Sequence, residues 1–238
     1  MPEIGIAGQE KLRKTSVLVV GSGGLGTPVL QYLAAAGIGR IGIVDFDKVE
    51  ESNLQRQVLF GAFDIGKHKT VVVEKKLREQ NNFVDFKIHN IYLNRNKITL
   101  NILSQYDIIV DCTDNYESRY TLSDGCILAG KPLVHGSVVG QEGQVSVFNY
   151  QNGPSYRCLY PQIPTDERLL KSSNFGLFGT IAGIIGTIQA HEILKIVTET
   201  GEIMTGKLFI FDAEDMKSYT FEFKKKAENF NISDWETE

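Results

Sequence analysis

Cysteine is scarce in this sequence: Cys112, Cys126 and Cys158 are the only three in 238 residues, and none lies close to another. An odd, dispersed set cannot frame a disulfide-stapled fold and points to a reducing, cytoplasmic setting. Basic charge is short as well. Lys and Arg number 25 against 29 Asp and Glu, a formal net charge of -4, which argues against nucleic acid as a partner because a phosphate backbone demands clustered cations. The one basic run, residues 224–226, sits beside acids and reads as a solvated end. The opening residues carry no signal pattern of basic, apolar and small residues. One uncharged segment, residues 174–190, falls short of the ~20 residues a membrane span needs. It holds four glycines and two threonines and runs into His191 and Glu192, so it reads as a buried helix, with no membrane association. Histidine is down to four. His68, His89, His135 and His191 show no metal-ligand spacing, and "HEILK" (191–195) lacks the second His of a zinc-protease helix. No Ser–His–Asp order can be assembled either.

What is present is an α/β pattern. With 42% hydrophobic and 23% charged residues, the chain has the composition of a globular protein and the length of one large α/β domain, residues 1–238. "SVLVV" (16–20) breaks into "GSGGLG", followed by a helical pattern to Ala36 and a second strand over residues 41–45. This is a βαβ unit. Further helices are expected over residues 67–80, 94–104, 117–129 and 176–199, and strands around residues 86–88, 107–111 and 132–134. Clean alternation over residues 144–148 and 217–223, with another strand at 208–211, adds antiparallel character. The expected fold is therefore a Rossmann-like nucleotide-binding half with a mixed central sheet extended by antiparallel strands. A long irregular stretch is expected over residues 149–173, and a loosely ordered tail over residues 224–238.

The glycine turn reads G-x-G-x-x-G through Gly21, Gly23 and Gly26 and lies between a strand and a helix, where backbone N–H groups can approach phosphate. Alone it is a weak signal. Asp45, ending the second strand, stands where an acid binds a ribose hydroxyl, and the pair would also suit an NAD-dependent oxidoreductase. Downstream, "VDFDKVEESNLQRQ" (44–57) packs Asp47, Ser52, Asn53, Gln55, Arg56 and Gln57 together, a cluster suited to a polar anion. "GAFDIGKH" (61–68) resembles a P-loop but ends in His68 where Ser or Thr would hold magnesium; Lys67 and Lys69 remain as cations for phosphate. The sequence thus offers a nucleotide site with no evident general base or nucleophile. Attack of an ionised carboxylate on a nucleotide phosphorus needs neither, because a C-terminal carboxyl, pKa ~3.3–3.7, is already a nucleophile at neutral pH. Such a site must only position it and neutralise phosphate charge.

The blocks "GSGGLG", "IVDFDKVEESNLQRQ", "DIGKHK", "DCTDNYESR", "EGQVSVF" and "YRCLYP", in this order over residues 4–223, resemble the ThiF/MoeB/HesA family and the adenylation domains of ubiquitin-activating enzymes. The resemblance implies an enzyme, a nucleotidyltransferase that uses ATP and magnesium. It would adenylate the C-terminal glycine of a small ubiquitin-like sulfur-carrier protein ending in Gly-Gly, of the ThiS or MoaD type, and release pyrophosphate for thiamin or molybdopterin biosynthesis. It further implies a homodimer, with a non-catalytic ATP-binding relative as the alternative. Gly24 would approach the nucleotide and Asp45 would hold the ribose. Asn53, Gln55 and Arg56 would contact the phosphates, Lys69 would be a second cation, and Asp114 would bind magnesium with Asn115 beside it. Asp47, Ser52 and Leu54 complete the implied nucleotide-binding stretch, with Arg56, Lys69 and Asp114 as the catalytic set.

The sequence departs from the family pattern at three places. Relatives often pair a C-x-x-C at the "YRC" block with a second near the C-terminus to hold structural zinc; here Ser155 replaces the first cysteine and no C-terminal cysteine exists, so zinc is expected to be absent. ThiF-like members carry a reactive cysteine before the long helix, whereas this sequence reads "ERLLKSSNFG" (167–176). That implies a non-covalently held acyl-adenylate. Relatives often open on an "RYxRQ"-like segment whose arginine reaches the partner subunit's ATP; this sequence starts "MPEIG" without it, so either the start is trimmed or one phosphate contact is missing.

Overall fold

The computed structural model describes residues 4–164, 176–233 and 235. The mixed sheet expected from the sequence is there. Its eight strands are β1 (Ser16–Val20), β2 (Arg40–Val44), β3 (Asp85–His89), β4 (Ile108–Asp111), β5 (Leu133–Val139), β6 (Glu142–Phe148), β7 (Lys207–Asp212) and β8 (Lys217–Glu222). They lie in the order β3-β2-β1-β4-β5-β6-β7-β8. The first five in that order pair in parallel, and β6, β7 and β8 add on antiparallel. The order turns back at the β1–β4 pair. That is where an open parallel sheet leaves a crevice at the carboxyl ends of its strands.

Alternation along a strand divides the core. Val17 and Val19 of β1 point into a cluster with Val29, Leu33, Ile181 and Ile185. Leu18 and Val20 point into another with Leu103, Tyr106, Tyr120 and Phe148. Helices cover both faces, so β1 is an unbroken apolar run. They are α1 (Gly5–Lys14), α2 (Gly26–Ala36), α3 (Lys69–Gln80), α4 (Lys97–Ser104), α5 (Tyr116–Ala129), the short α6 (Tyr156–Leu159) and α7 (Gly179–Thr198). By length and composition α7 could cross a membrane. Here it packs on α2, β5 and β6 as a core helix.

The structure departs from the sequence-based expectations at several elements. Helix α1 was not expected; it buries only Gly8 and Leu12, too sparse a pattern to show a period. Helix α3 starts at Lys69 because His68 is extended, at φ -61° and ψ 131°. Residues 149–164 are less irregular than expected, holding a turn with positive φ at Asn149, Gln151 and Asn152 and then α6. The rest of that stretch, residues 165–173, and all but Gly176 of the "ERLLKSSNFG" segment lie outside the described residues. The tail also differs. Lys226 and Asn229 hydrogen-bond to α6 and Trp235 is buried at 8% exposure, so the described part of the tail is tied down at these points.

Candidate functional site

The carboxyl end of β1 turns on Gly21, whose φ of +93° favours glycine and whose added Cβ would lie 2.6 Å from the Cys112 carbonyl. Gly26 begins α2 directly under this turn: a Cβ there would meet the Gly21 carbonyl at 1.9 Å. These close approaches are why the sequence needs glycine at both ends of the motif. Asp45, just past β2, locks the turn from the side. Its Oδ2 accepts from the Ser22 backbone N–H and from Ser22 Oγ, both at 2.8 Å, and its Oδ1 accepts from the Asp47 N–H at 2.9 Å. A carboxylate has about four acceptor positions, so a hydroxyl arriving from the cavity can still bond to Asp45.

The cations come from the next segment. A capped 3-10 turn, Glu51–Asn53, leads into residues 54–57. Arg56 Nη1 donates to the Ser52 carbonyl at 3.0 Å, which leaves the rest of the guanidinium fork for the cavity. Lys69 is buried at the start of α3, and its Nζ pairs with Asp47 Oδ2 at 2.9 Å. Buried Gln57 also lines the cavity, with its Oε1 lacking any hydrogen bond.

Asp114 and Asn115 follow β4, and the Asn115 side chain caps α5 by accepting from the Ser118 N–H at 2.9 Å. The loop between is fixed from behind by Asp111. Its Oδ1 accepts from Thr113 N and Oγ1 at 2.9 and 2.6 Å. Its Oδ2 accepts from His135 Nδ1 at 2.7 Å, with both side chains fully buried. Burial pushes the Asp111 carboxyl upward, but the hydrogen bonds from His135 and Thr113 and the Arg119 charge outweigh it and hold it below the usual range. Burial pushes His135 down more than Asp111 lifts it. The pair is thus an ionised carboxylate and a neutral imidazole donating from Nδ1.

One cavity gathers Gly21, Gly23, Gly24, Asp45, Asp47, Gln55, Arg56, Lys69, Asp114 and Asn115. Four expected residues do not line it. Gly26 serves the turn from below. Asn53 is buried and caps the 3-10 turn, accepting from the Glu50 N–H at 3.3 Å. Ser52 offers its carbonyl to Arg56, and Leu54 packs on the core. Lys67 also stays away, pointing to Asp64 at 3.6 Å. Sequence reasoning missed the apolar wall of Ile91, Tyr92 and Leu93 after β3, and it missed Arg119. Arg119 was findable in principle, because it sits four residues beyond Asn115 on the same helical face. As for metals, Asp114 lines the cavity and would supply the kind of hard oxygen that magnesium takes from a protein. No cluster of three His, Cys, Asp or Glu side chains able to hold a metal occurs among the described residues.

Comparison with known proteins shows what the chain resembles. The ThiF family model matches residues 1–232. An "Adenylyltransferase and sulfurtransferase MOCS3" from Xenopus laevis is 50% identical over 213 residues, covering 90% of this chain and 47% of that protein. The protein of the same name from Aedes aegypti is 44% identical over 235 residues, covering 98% of this chain and 54% of its own length. The chain therefore spans about half the length of the curated relatives it matches. Among solved structures, E. coli MccB with AMPCPP and MccA superposes with a TM-score of 0.83 at 24% identity, covering 93% of this chain and 68% of that one. PaaA superposes at 0.76 and 23% identity, covering 92% and 67%. These likenesses are of fold.

Proposed function

The chain belongs to the ThiF family, and from that premise we propose that it is an ATP-dependent adenylyltransferase. It activates the C-terminal carboxylate of a small protein as an acyl-adenylate. The observation that carries this reading is the gathering of Arg56, Lys69 and Asp114 around one cavity whose floor is the glycine turn and whose side is Asp45. A dinucleotide's pyrophosphate does not call for so concentrated a set of phosphate-directed groups, which weighs against an oxidoreductase.

In this reading the ribose lies at Asp45 and the base against Ile91, Tyr92 and Leu93. The triphosphate lies over the N–H groups of the glycine turn, between Arg56 and Lys69. A carboxylate oxygen of the protein substrate attacks the α-phosphorus, the bond from that phosphorus to the oxygen bridging to the β-phosphate breaks, and pyrophosphate leaves. No proton moves, which suits a cavity without a general base. The protein's task is positioning and charge neutralisation. Asp114 is the residue that would hold magnesium, which when bound neutralises phosphate charge.

The finer reading is a ubiquitin-like sulfur carrier ending in Gly-Gly, activated by a homodimer in the cytoplasm for a thiamin- or molybdopterin-type pathway. The similarity to relatives named for both adenylyl and sulfur transfer supports the carrier. The three free, buried cysteines suit a reducing compartment. The deciding experiment is carrier-dependent exchange of labelled pyrophosphate into ATP. Exchange that requires the carrier's free C-terminus supports the proposal, and ATP binding without any exchange overturns it.

A further inference from the structure

Arg119 is the buried cation that the reaction just described does not use. It lies one helical turn into α5 and is only 5% exposed. Its Nε has no hydrogen-bond partner, and its guanidinium forms no hydrogen bond or ion pair among the described residues. Its contact is a stack at 5.1 Å over the Tyr116 ring. The other strongly engaged arginines behave differently: Arg95 and Arg157 both reach the buried carboxylate of Asp124 at 2.7 Å. Asp111 lies in the field of Arg119, yet both of its oxygens are already taken by His135 and Thr113. A nearly buried guanidinium whose Nε is unpartnered and whose side chain lines the cavity is costly unless an anion completes it.

The place of Arg119 says which anion. The residues assigned to ribose and base, Asp45 and residues 91–93, follow β2 and β3. Arg119 projects into the same cavity from the helix after β4. Its charge bears on Tyr156 and Tyr160, on the side of β5 and β6. There Tyr160 donates to Gln144 of β6 at 2.8 Å. The triphosphate already has Arg56 and Lys69. The second substrate is also an anion, and it must be brought against a triphosphate and Asp114, both of which repel it.

We infer that the Arg119 guanidinium, held by its stack on Tyr116, is the fork that receives the substrate's terminal carboxylate and aims it at the α-phosphorus. The inference rests on the adenylation reading and adds the second substrate's anchor. An arginine fork suits the task because it matches both carboxylate oxygens at once and is never deprotonated.

The test compares acetyl-Gly-Gly as the free acid and as its amide, which differ only in the terminal charge. Each is titrated into the full chain, with and without a non-hydrolysable ATP analogue and magnesium, while the Arg119 Nε–H resonance is followed by NMR. The acid should shift that resonance and outbind the amide by about ten- to a hundredfold, the scale of hydrogen bonds to charged groups. In Arg119→Gln the preference should vanish with affinity for the ATP analogue unchanged, and Arg119→Lys should keep part of it. Equal binding of acid and amide by the wild type overturns the inference without needing any variant to fold. So does a preference that survives in Arg119→Gln, or a parallel loss of analogue affinity, which would make Arg119 a phosphate ligand. If the analogue fails to bind, the adenylation reading falls, while the titration without it still decides whether Arg119 takes a carboxylate.

Discussion

Arg56 and Lys69 are in different states of engagement. The Lys69 ammonium is neutralised by Asp47 at 2.9 Å, so an arriving phosphate must compete for it. Arg56 gives one bond to a carbonyl and keeps the rest of its fork for a ligand. Arg56 should therefore carry more of the charge that develops on the phosphates. Arg56→Ala is expected to lower pyrophosphate exchange by ~10²–10³, the cost of a lost transition-state donor. Its thermal midpoint should stay near that of the wild type, since the side chain is only half-buried at the edge of the cavity. Near-normal exchange would remove Arg56 from the chemistry. The Asp111–His135 pair makes a second residue-scale prediction. The folded protein holds His135 below its ordinary value. As pH falls below about 6.5, the unfolded chain takes a proton that buried His135 refuses, and stability drops. His89, also lowered by burial, adds the same sign. Asp111, lowered as well, contributes stability that is lost only further into acid, as pH falls through its folded value. Denaturation midpoints from pH 7.5 to 5 should decline more steeply for the wild type than for His135→Gln, by up to about 1.4 kcal/mol per pH unit per site. Parallel slopes would show that His135 is not the group responsible.

At the scale of elements, α7 and the cation segment are fitted backbone to backbone. A Cβ on Gly179, the first residue of α7, would lie 2.6 Å from the Gln55 carbonyl and 2.8 Å from Arg56 Cα. Gly179→Ala must push that segment or the helix start. Overpacking of this kind costs about 1–3 kcal/mol, and here it also displaces Arg56. The expected result is a lowered thermal midpoint together with weakened ATP binding in a calorimetric titration. Unchanged nucleotide affinity would uncouple α7 from the site. This contact also shows where the sequence was legible and where it was not. The β1 run, the glycine turn and Asp45 are local in sequence, and each could be read from its own neighbours. So could Arg56, from the density of polar groups around it. Asn53 belongs to the same cluster, yet it faces into its own 3-10 turn, because which side of a short loop a side chain takes depends on what packs beneath. Gly179 carries no such local signal, since its partner lies more than a hundred residues away in the sequence. Helix α1 escaped notice because burying only Gly8 and Leu12 leaves no period to detect.

At the scale of the whole molecule, the C-terminal segment ties α6 and α4 together at the place where relatives use zinc. The Cys158 thiol accepts from the Lys226 N–H at 3.3 Å and lies 3.4 Å from Ser155 Oγ, so ordinary hydrogen bonds occupy it. Asn229 donates to the Arg157 carbonyl at 3.0 Å. Arg157 and Arg95 converge on buried Asp124. Beyond them Trp235 donates from Nε1 to the Asn96 carbonyl at 3.1 Å, with Arg95 5.5 Å from its ring. Residue spacing could not reveal this seat, because a charged run followed by two scattered aromatics, Phe230 and Trp235, reads as a solvated end. Two outcomes are expected. Metal analysis of the purified protein should find well under one zinc per chain, since Cys158 lacks the thiolate partners that such a site needs. Trp235→Ala should cost about 3 kcal/mol, the low end for truncating a buried tryptophan, because a chain end can relax into the gap. Some of that loss should reach the cavity. Asn96 caps α4 by accepting from the Thr99 N–H at 3.0 Å, and Ile91, Tyr92 and Leu93 lie a few residues upstream. Trp235 is the only tryptophan in the sequence, so its fluorescence reports this seat alone. The native emission should be that of a buried indole and should red-shift together with the loss of helical circular dichroism on denaturation. Solvent-like emission from the native protein, or a red shift well before the helices melt, would mean that the segment is not anchored as described.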